Sequence, residues 1–492
     1  MTDLASLIER HAQLSPDKLA LHHEGRDVPY AQFWQRIEAA TAVLHAAGVR
    51  PGDRVAWLGL NHPDVLVLLF ALARLGAILL PLNYRLATPE HTAILAHAGV
   101  CLLVADPTHA DAASALVAQA GCNFLRSGEL AGPTSGGGAP ALGGSAASPV
   151  LLVYTSGTSG QPKGVLHSQS GLVWNCVIST HAHELTADDH VLSTLPMFHV
   201  GGLCIQTLPA LHAGASVTLH SRFDAGAWLA DVEARRPDLS LLVPATLRAV
   251  IEHPAFARSD LSSLRMLATG SSTIPSSMMA AFHARGVPVG QVYGATETGP
   301  VSIYLRRDEA MQRLGSAGRA GLHVDIRLMD EQGRPVAPGQ VGEVWVRGPN
   351  LLCGYWKDPG NPAFADGWFH TGDLARCDDA GFYEIVGRSK DMIISGGENV
   401  YPAEIENLLA DCPSVLEAAV VGEPDARWGE VVVAVVVRKP GAELDAAQVM
   451  QLFDGRLARF KHPKRIVFCD ALPKTALGKV QKAGLLASLA SQ

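Results

Sequence analysis

Residues 148–164 read SPVLLVYTSGTSGQPKG, an apolar run of strand length that breaks into a loop of glycines and hydroxyls. The first half has the length and residue types of a buried β-strand. The second half can be neither a packed helix nor an ordinary strand, because Gly157, Gly160, Pro162 and Gly164 interrupt regular pairing. A buried strand that feeds a glycine-rich loop belongs to layered α/β folds. Other segments agree: RVAWLGL (54–60), SVTLH (216–220), LSLLVPA (239–245) and LRMLAT (264–269) read as strands, and AGAWLADVEARR (225–236) as a helix. Apolar β-runs separated by helices point to largely parallel sheets.

The character changes from about residue 325. VDIRLMD, GEVWVRG and GFYEIVG are short alternating strands, so a β-rich subdomain is expected there. Beyond 390, AEIENLLA (helix), EAAVVGE and EVVVAVVVR (strands) and VMQLFDGRL (helix) outline a compact α+β unit. The expected fold is therefore α/β: a large N-terminal domain, 1–389, of two α/β layered subdomains plus a β-rich subdomain. A small mobile α+β domain, 390–492, follows it. The segment 131–147, AGPTSGGGAPALGGSAA, reads as a mobile surface loop. GVLHSQSGLVWNCV, after the glycine loop, is expected to begin a helix after a second turn.

Composition narrows the function classes. A net charge of −8 argues against a nucleic-acid partner, which would ask for a basic face. Eight cysteines without a C-x-x-C pair fit reduced thiols of a cytoplasmic protein better than disulfides or a zinc site. The N-terminus lacks the apolar stretch of a signal peptide. VLVLLFALARLGAILLPL (65–82) approaches the length of a membrane span, but Arg74, Gly76 and Pro81 interrupt it. A buried helix, a turn at Gly76 and a short buried strand are expected, and no integral membrane segment. A homodimer stays open.

The glycine loop suits a polyanion. Its glycines let backbone N–H groups approach a ligand, Thr155, Ser156, Thr158 and Ser159 add hydroxyls, and Lys163 adds a cation. A polar loop of no special use is the plainer alternative. It is not a Walker loop, because Pro162 precedes the lysine and Gly164 follows it.

The loop resembles the phosphate loop of the adenylate-forming superfamily, which includes acyl- and aryl-CoA ligases, luciferases and peptide-synthetase adenylation domains. Ser159 stands where the family loop has Thr. Further segments match in the family's order: GSST (270–273), VYGATETG (292–299), HTGDLA (370–375), GRSKDMIISGGENVYPAEIE (387–406) and PKTALGKVQK (473–482). The resemblance implies ATP contacts from Thr155, Ser156, Gly157, Thr158, Ser159, Gly160, Lys163, Gly270, Ser271, Ser272 and Gly294. It implies that Tyr293 stacks on adenine, Thr296 contacts the α-phosphate, and Glu297, with Thr155, holds Mg²⁺. Asp373 would accept both ribose hydroxyls, Arg388 would reach the ribose and phosphate, and Lys479 would serve adenylation. The resemblance also implies a hinge at Lys390, and that Gly396 and Gly397 would form a turn passed by the pantetheine arm.

Acceptor and acid follow from the same resemblance. Trp428, in DARWGE, and Phe460 and Lys461, in ARFKHPK, would hold coenzyme A, with His462 where the pattern has arginine. LPMFHVGGL (195–203) places His199 beside the carboxylate. Val200, Gly201, Gly202, Trp174 and Thr246 would line the acid pocket, the two glycines leaving room for bulk. Those side chains are small or apolar, which favours an aromatic or medium-to-long aliphatic monocarboxylic acid. Arg248 keeps a dicarboxylate open. The expected reaction is ATP-dependent acid–CoA ligation, with CoA as co-substrate. A stand-alone enzyme that loads a carrier-protein phosphopantetheine is the alternative, as are a luciferase-like oxidase and an inactive nucleotide-binding relative.

Overall fold

The computed structural model describes residues 3–132, 142–155, 163–270, 274–395, 398–425, 427–474 and 480–490. A seven-stranded sheet carries Pro149–Thr155 beside Ile78–Leu82, Arg54–Leu58, Val100–Ala105 and Asn123–Arg126, all parallel. A nine-stranded sheet has the parallel centre Val289–Tyr293, Met266–Gly270, Leu239–Leu242, His190–Ser193 and Ser216–Leu219. Two five-stranded sheets complete the set among the described residues. One spans Asp325–Met329 to Tyr383–Arg388 and is antiparallel; the other holds Ile393–Ser395, Val415–Asp425, Gly429–Arg438 and Arg465–Phe468. These are the two α/β layers, the β-rich subdomain and the α+β unit that the sequence pattern implies.

One continuous core joins the two large sheets. The helix Pro63–Leu75 lies between them, and every one of its side chains except Arg74 is buried. That is why this segment is apolar all round without crossing a membrane. His62 caps its first turn, Pro63 occupies its first position, and Gly76 ends it at φ +72°. No helix among the described residues is long and apolar enough to span a bilayer.

Two local expectations are corrected. Residues after the glycine loop first form a strand, Lys163–Ser168, that folds back on Pro149–Thr155; the helix starts at Gln169, where Ser168 caps it. Val165 and His167 are buried on one face of that strand, so pleated alternation wins over helix. Part of the expected mobile loop, 142–147, is docked instead. Gly144 N–H donates to the Arg74 carbonyl at 3.0 Å, and a Cβ on Gly144 would stand 1.9 Å from the Ala73 carbonyl oxygen. Residues 133–141 of that loop lie outside the described residues.

Candidate active site

Parallel sheets present their loops at the carboxyl ends of the strands, and ligands bind there. Val289–Tyr293, Met266–Gly270, Leu239–Leu242 and His190–Ser193 are neighbours and end at the same edge. Tyr293, Gly270, Thr246 and His199 thus come to one rim from four different connections. Two glycines allow the crowding. A Cβ on Gly270 would meet the Val292 carbonyl oxygen at 2.4 Å, and one on Gly294 the Pro300 carbonyl oxygen at 1.8 Å.

Asp373 stands in the middle of a prepared set of donors. It lies opposite Arg388 in an antiparallel pair, and the guanidinium donates to one carboxylate oxygen at 2.7 Å. The Tyr293 hydroxyl donates to the other at 2.9 Å. Burial raises the Tyr293 phenol well above its usual range and keeps it a donor. The preceding Thr371 hydroxyl receives the Asp373 N–H and donates to the Val344 carbonyl, so the turn itself is pinned.

Glu297 sits next to this set. Burial pushes its carboxyl up from the usual range. The Tyr355 hydroxyl donates to it at 3.0 Å. Tyr355 arrives on a two-residue strand, Gly354–Tyr355, paired with the strand that begins at Lys163. The Lys163 ammonium lies 5.5 Å from the Tyr355 ring centre. Asn350 donates to the Thr298 carbonyl at 2.5 Å, and Leu352 N–H to the Glu297 carbonyl at 2.8 Å, which ties the Thr296–Thr298 turn down. Thr296 is buried in that turn, and Thr155 stands directly across from Lys163.

On the acid side, His199 caps the short turn Val200–Gly202 by accepting the Gly201 N–H at Nδ1, 3.1 Å away. Burial lowers its pKa to about 4, so it is neutral at pH 7. A neutral ring that accepts at Nδ1 carries its proton on Nε2 and offers a donor there. The room expected from both glycines is corrected for one of them. A Cβ on Gly202 would lie 2.3 Å from the Pro196 carbonyl oxygen and 2.5 Å from that of Leu195, so its task is close backbone approach. Trp174 packs edge-on against His323 with ring centres 5.0 Å apart. The Thr246 hydroxyl is turned to its own helix, donating to the Val243 carbonyl at 2.9 Å. Arg248 uses one Nη1–H on the Leu416 carbonyl, across to the C-terminal unit.

The C-terminal unit presents two exposed rings. Trp428 is 42% exposed, with the Arg427 guanidinium 4.9 Å and the Lys464 ammonium 6.0 Å from its ring centre. Phe460 is 41% exposed, beside Lys461. Lys461 itself pairs with Glu404 at 2.5 Å. His462 turns inward, its Nε2 at 3.0 Å from the Leu457 carbonyl and its ring against Phe453. Lys390 is exposed in the turn Ser389–Asp391. Ser156, Gly157, Thr158, Ser159, Gly160, Ser271, Ser272, Gly396, Gly397 and Lys479 lie outside the described residues.

Residues 8–356 match the family described as AMP-binding enzyme, and residues 404–479 match the AMP-binding enzyme C-terminal domain. This chain belongs to the AMP-binding enzyme family. It is 48% identical over 495 residues to an indoleacetate–CoA ligase of Aromatoleum aromaticum, covering 98% of this chain and 97% of the other. It is 43% identical to a feruloyl-CoA synthase of an Amycolatopsis species, with 97% of each covered. ATP-bound MatB from Rhodopseudomonas palustris superposes with a TM-score of 0.91 at 34% identity, over 99% of each chain.

For this AMP-binding enzyme, the structure brings Tyr293, Thr296, Glu297, Asp373 and Arg388 together, with Lys163 linked to them through Tyr355 and Thr155 opposite Lys163, from segments over two hundred residues apart. Tyr355 escaped the reading of the sequence. It lies in a G-Y-W-K turn whose pairing with residues 163–168 carries no local signal.

Proposed function

We propose that this chain is an acid–CoA ligase whose acid is an aromatic monocarboxylate. The reaction class is that of its relatives: ATP-dependent joining of an acid to coenzyme A, with release of AMP. The observation that carries the residue assignment is Asp373, held by Tyr293 and Arg388 beside Glu297 on the rim where His199 also sits. A carboxylate has about four lone-pair sites, so Asp373 can keep both protein donors and still receive the two ribose hydroxyls.

Two anions must meet in the first step. The acid carboxylate attacks the α-phosphorus of ATP, and the bond to pyrophosphate breaks. Lys163 and the loop donors take the leaving phosphates, Arg388 and Thr296 hold the α-phosphate side, and Lys479 offsets the charge that develops on the transferring phosphoryl. His199, with its proton on Nε2, orients an oxygen of the acid without adding a charge. Glu297 is the residue that would hold Mg²⁺. Its buried carboxyl, raised by desolvation, gains from a cation beside it, and it belongs to no cluster of three or more ligands among the described residues. A single carboxylate suits an ion that takes its other ligands from phosphate and water. When bound, Mg²⁺ supplies neutralisation of the phosphate charge. In the second step the CoA thiol attacks the acyl carbonyl and AMP departs; Trp428 and Phe460 are surfaces on which the CoA nucleotide can stack. We place the hinge at Lys390.

The indoleacetate and feruloyl specificities of the two ligases above favour an aromatic body. The test is a panel of aromatic, aliphatic and dicarboxylic acids with ATP and CoA, followed by AMP release. AMP release with aryl acids supports the proposal. Turnover with a carrier protein but with no acid under CoA overturns it.

A further inference from the structure

Beyond His199 the chain winds into a π-helical turn, Leu203–Thr207, and that turn buries a glutamine. Gln206 is 2% exposed, and neither its amide nitrogen nor its amide oxygen has a hydrogen-bond partner. Thr194 is 1% exposed, and its hydroxyl is likewise unpartnered. Both line a small cavity shared with Ser193, Gly202 and Leu241. The other hydroxyls there are spoken for. Ser193 and Thr207 bond each other at 2.7 Å, and Thr207 donates to the Gly202 carbonyl at 2.7 Å.

Buried polar groups in folded proteins almost always have partners, and a leucine or methionine would fill the volume of Gln206 without the cost of an unpaired amide. The cavity's position supplies a reason for the amide. Ser193 closes one strand of the rim, Leu241 lies in its neighbour, and Gly202 is three residues beyond His199. The cavity, about 10 Å³, has room for one water-sized group and borders the turn that His199 begins, the proposed place of the acid carboxylate. π-Helical turns inside helices are themselves frequent at functional sites.

We propose that Gln206, with Thr194, reads a hydrogen-bonding group on the body of the acid, a ring N–H or a ring hydroxyl, so that the enzyme selects polar-substituted aryl acids over hydrocarbon ones. This rests on the ligase reading above. An amide both donates and accepts, so it serves either group. A site with a buried polar pair rejects an analogue that leaves the pair empty more strongly than an apolar wall rejects one extra methylene.

The experiment uses the full chain and matched acids. Indole-3-acetate is set against 1-benzothiophene-3-acetate, in which sulfur replaces N–H, and 4-hydroxycinnamate against 4-methylcinnamate; phenylacetate and decanoate complete the panel. Wild-type kcat/KM favours the hydrogen-bonding member of at least one pair by roughly 10- to 100-fold. Gln206→Leu brings that ratio to within about threefold while KM for ATP stays in place. Equal turnover within both pairs by the wild type, or an unchanged ratio in Gln206→Leu, overturns the proposal, as a cavity that merely holds water would predict. Should the leucine variant not fold, the wild-type ratios and Gln206→Met decide. Turnover of phenylacetate or decanoate alone leaves the ligase reading standing and removes this one; AMP from none of the acids removes both.

Discussion

On the proposed assignment, the nucleotide rim and the C-terminal unit would hold charged ligands in opposite ways. At the rim the charges are already partnered: Asp373 by Arg388 and Tyr293, Glu297 by Tyr355. On the C-terminal unit the candidate contacts are two rings left more than two-fifths exposed, with cations near their faces. Parallel strand ends fix side chains from several connections at once, so a preset arrangement costs little reorganisation when ATP binds. A small sheet held to the body by contacts such as Arg248 to the Leu416 carbonyl, and Arg376 to Glu404 at 3.9 Å, can present its ligand surface by moving as a unit. On the proposed assignment, adenylation would be built into the body, while acceptor binding would be delivered to it.

The largest expected effect crosses that divide. Lys479→Ala lowers acid-dependent pyrophosphate exchange by roughly 100- to 1,000-fold, the loss typical of removing one donor to a developing charge. Thioester formation from a supplied acyl-adenylate is spared. Equal loss of both half-reactions would break the division of labour. Within the rim, Asp373→Asn keeps the shape but removes the charge that Arg388 pairs with, and kcat/KM for ATP drops by about 100-fold. A change in KM for CoA instead would put Asp373 on the wrong side of the comparison.

The body should also be the acid-sensitive part. His167 and His183 are 0% and 1% exposed, and burial lowers each pKa to about 4. In the unfolded chain each binds its proton near pH 6.5, so between pH 6.5 and 4 the unfolded state holds more protons. Stability therefore rises with pH across this window and is lost on acidification, by about 1.4 kcal/mol per histidine per pH unit. Urea midpoints measured from pH 7 to 5 should fall, and His183→Gln should flatten the slope by about one proton. A flat profile in the unaltered chain would refute the neutral buried state.

Much of this was legible in advance because it rests on local pattern. The buried helix that ends at Gly76 and the succession of α/β layers, β-rich subdomain and α+β unit follow from apolar period and glycine placement, whereas the rim segments stood out only through their resemblance to the adenylate-forming family. What escaped depends on where side chains point after folding. Gly202 reads as open space, yet it exists to let backbone meet backbone. Arg248 lies two residues beyond Thr246 and still serves another domain. Tyr355 reaches Glu297 through pairing with a strand nearly two hundred residues earlier. Gln206 looks like an unremarkable polar residue until its burial is known.

The smallest effects sharpen the C-terminal side. Trp428 is exposed and flanked by Arg427 and Lys464, an arrangement that can take a nucleotide base and its phosphates together. Trp428→Ala should raise KM for CoA by about 10-fold, the loss of one stacking contact, and leave pyrophosphate exchange untouched. His462 occupies a neighbouring place in the sequence but faces the other way, toward Leu457 and Phe453. His462→Gln should leave KM for CoA within about twofold and lower unfolding stability by about 1 kcal/mol, the scale of one lost hydrogen bond. If His462→Gln weakened CoA as much as Trp428→Ala did, the side chain would have to turn outward when the acceptor binds. The C-terminal surface would then be rearranged by its ligand, not merely carried to the rim.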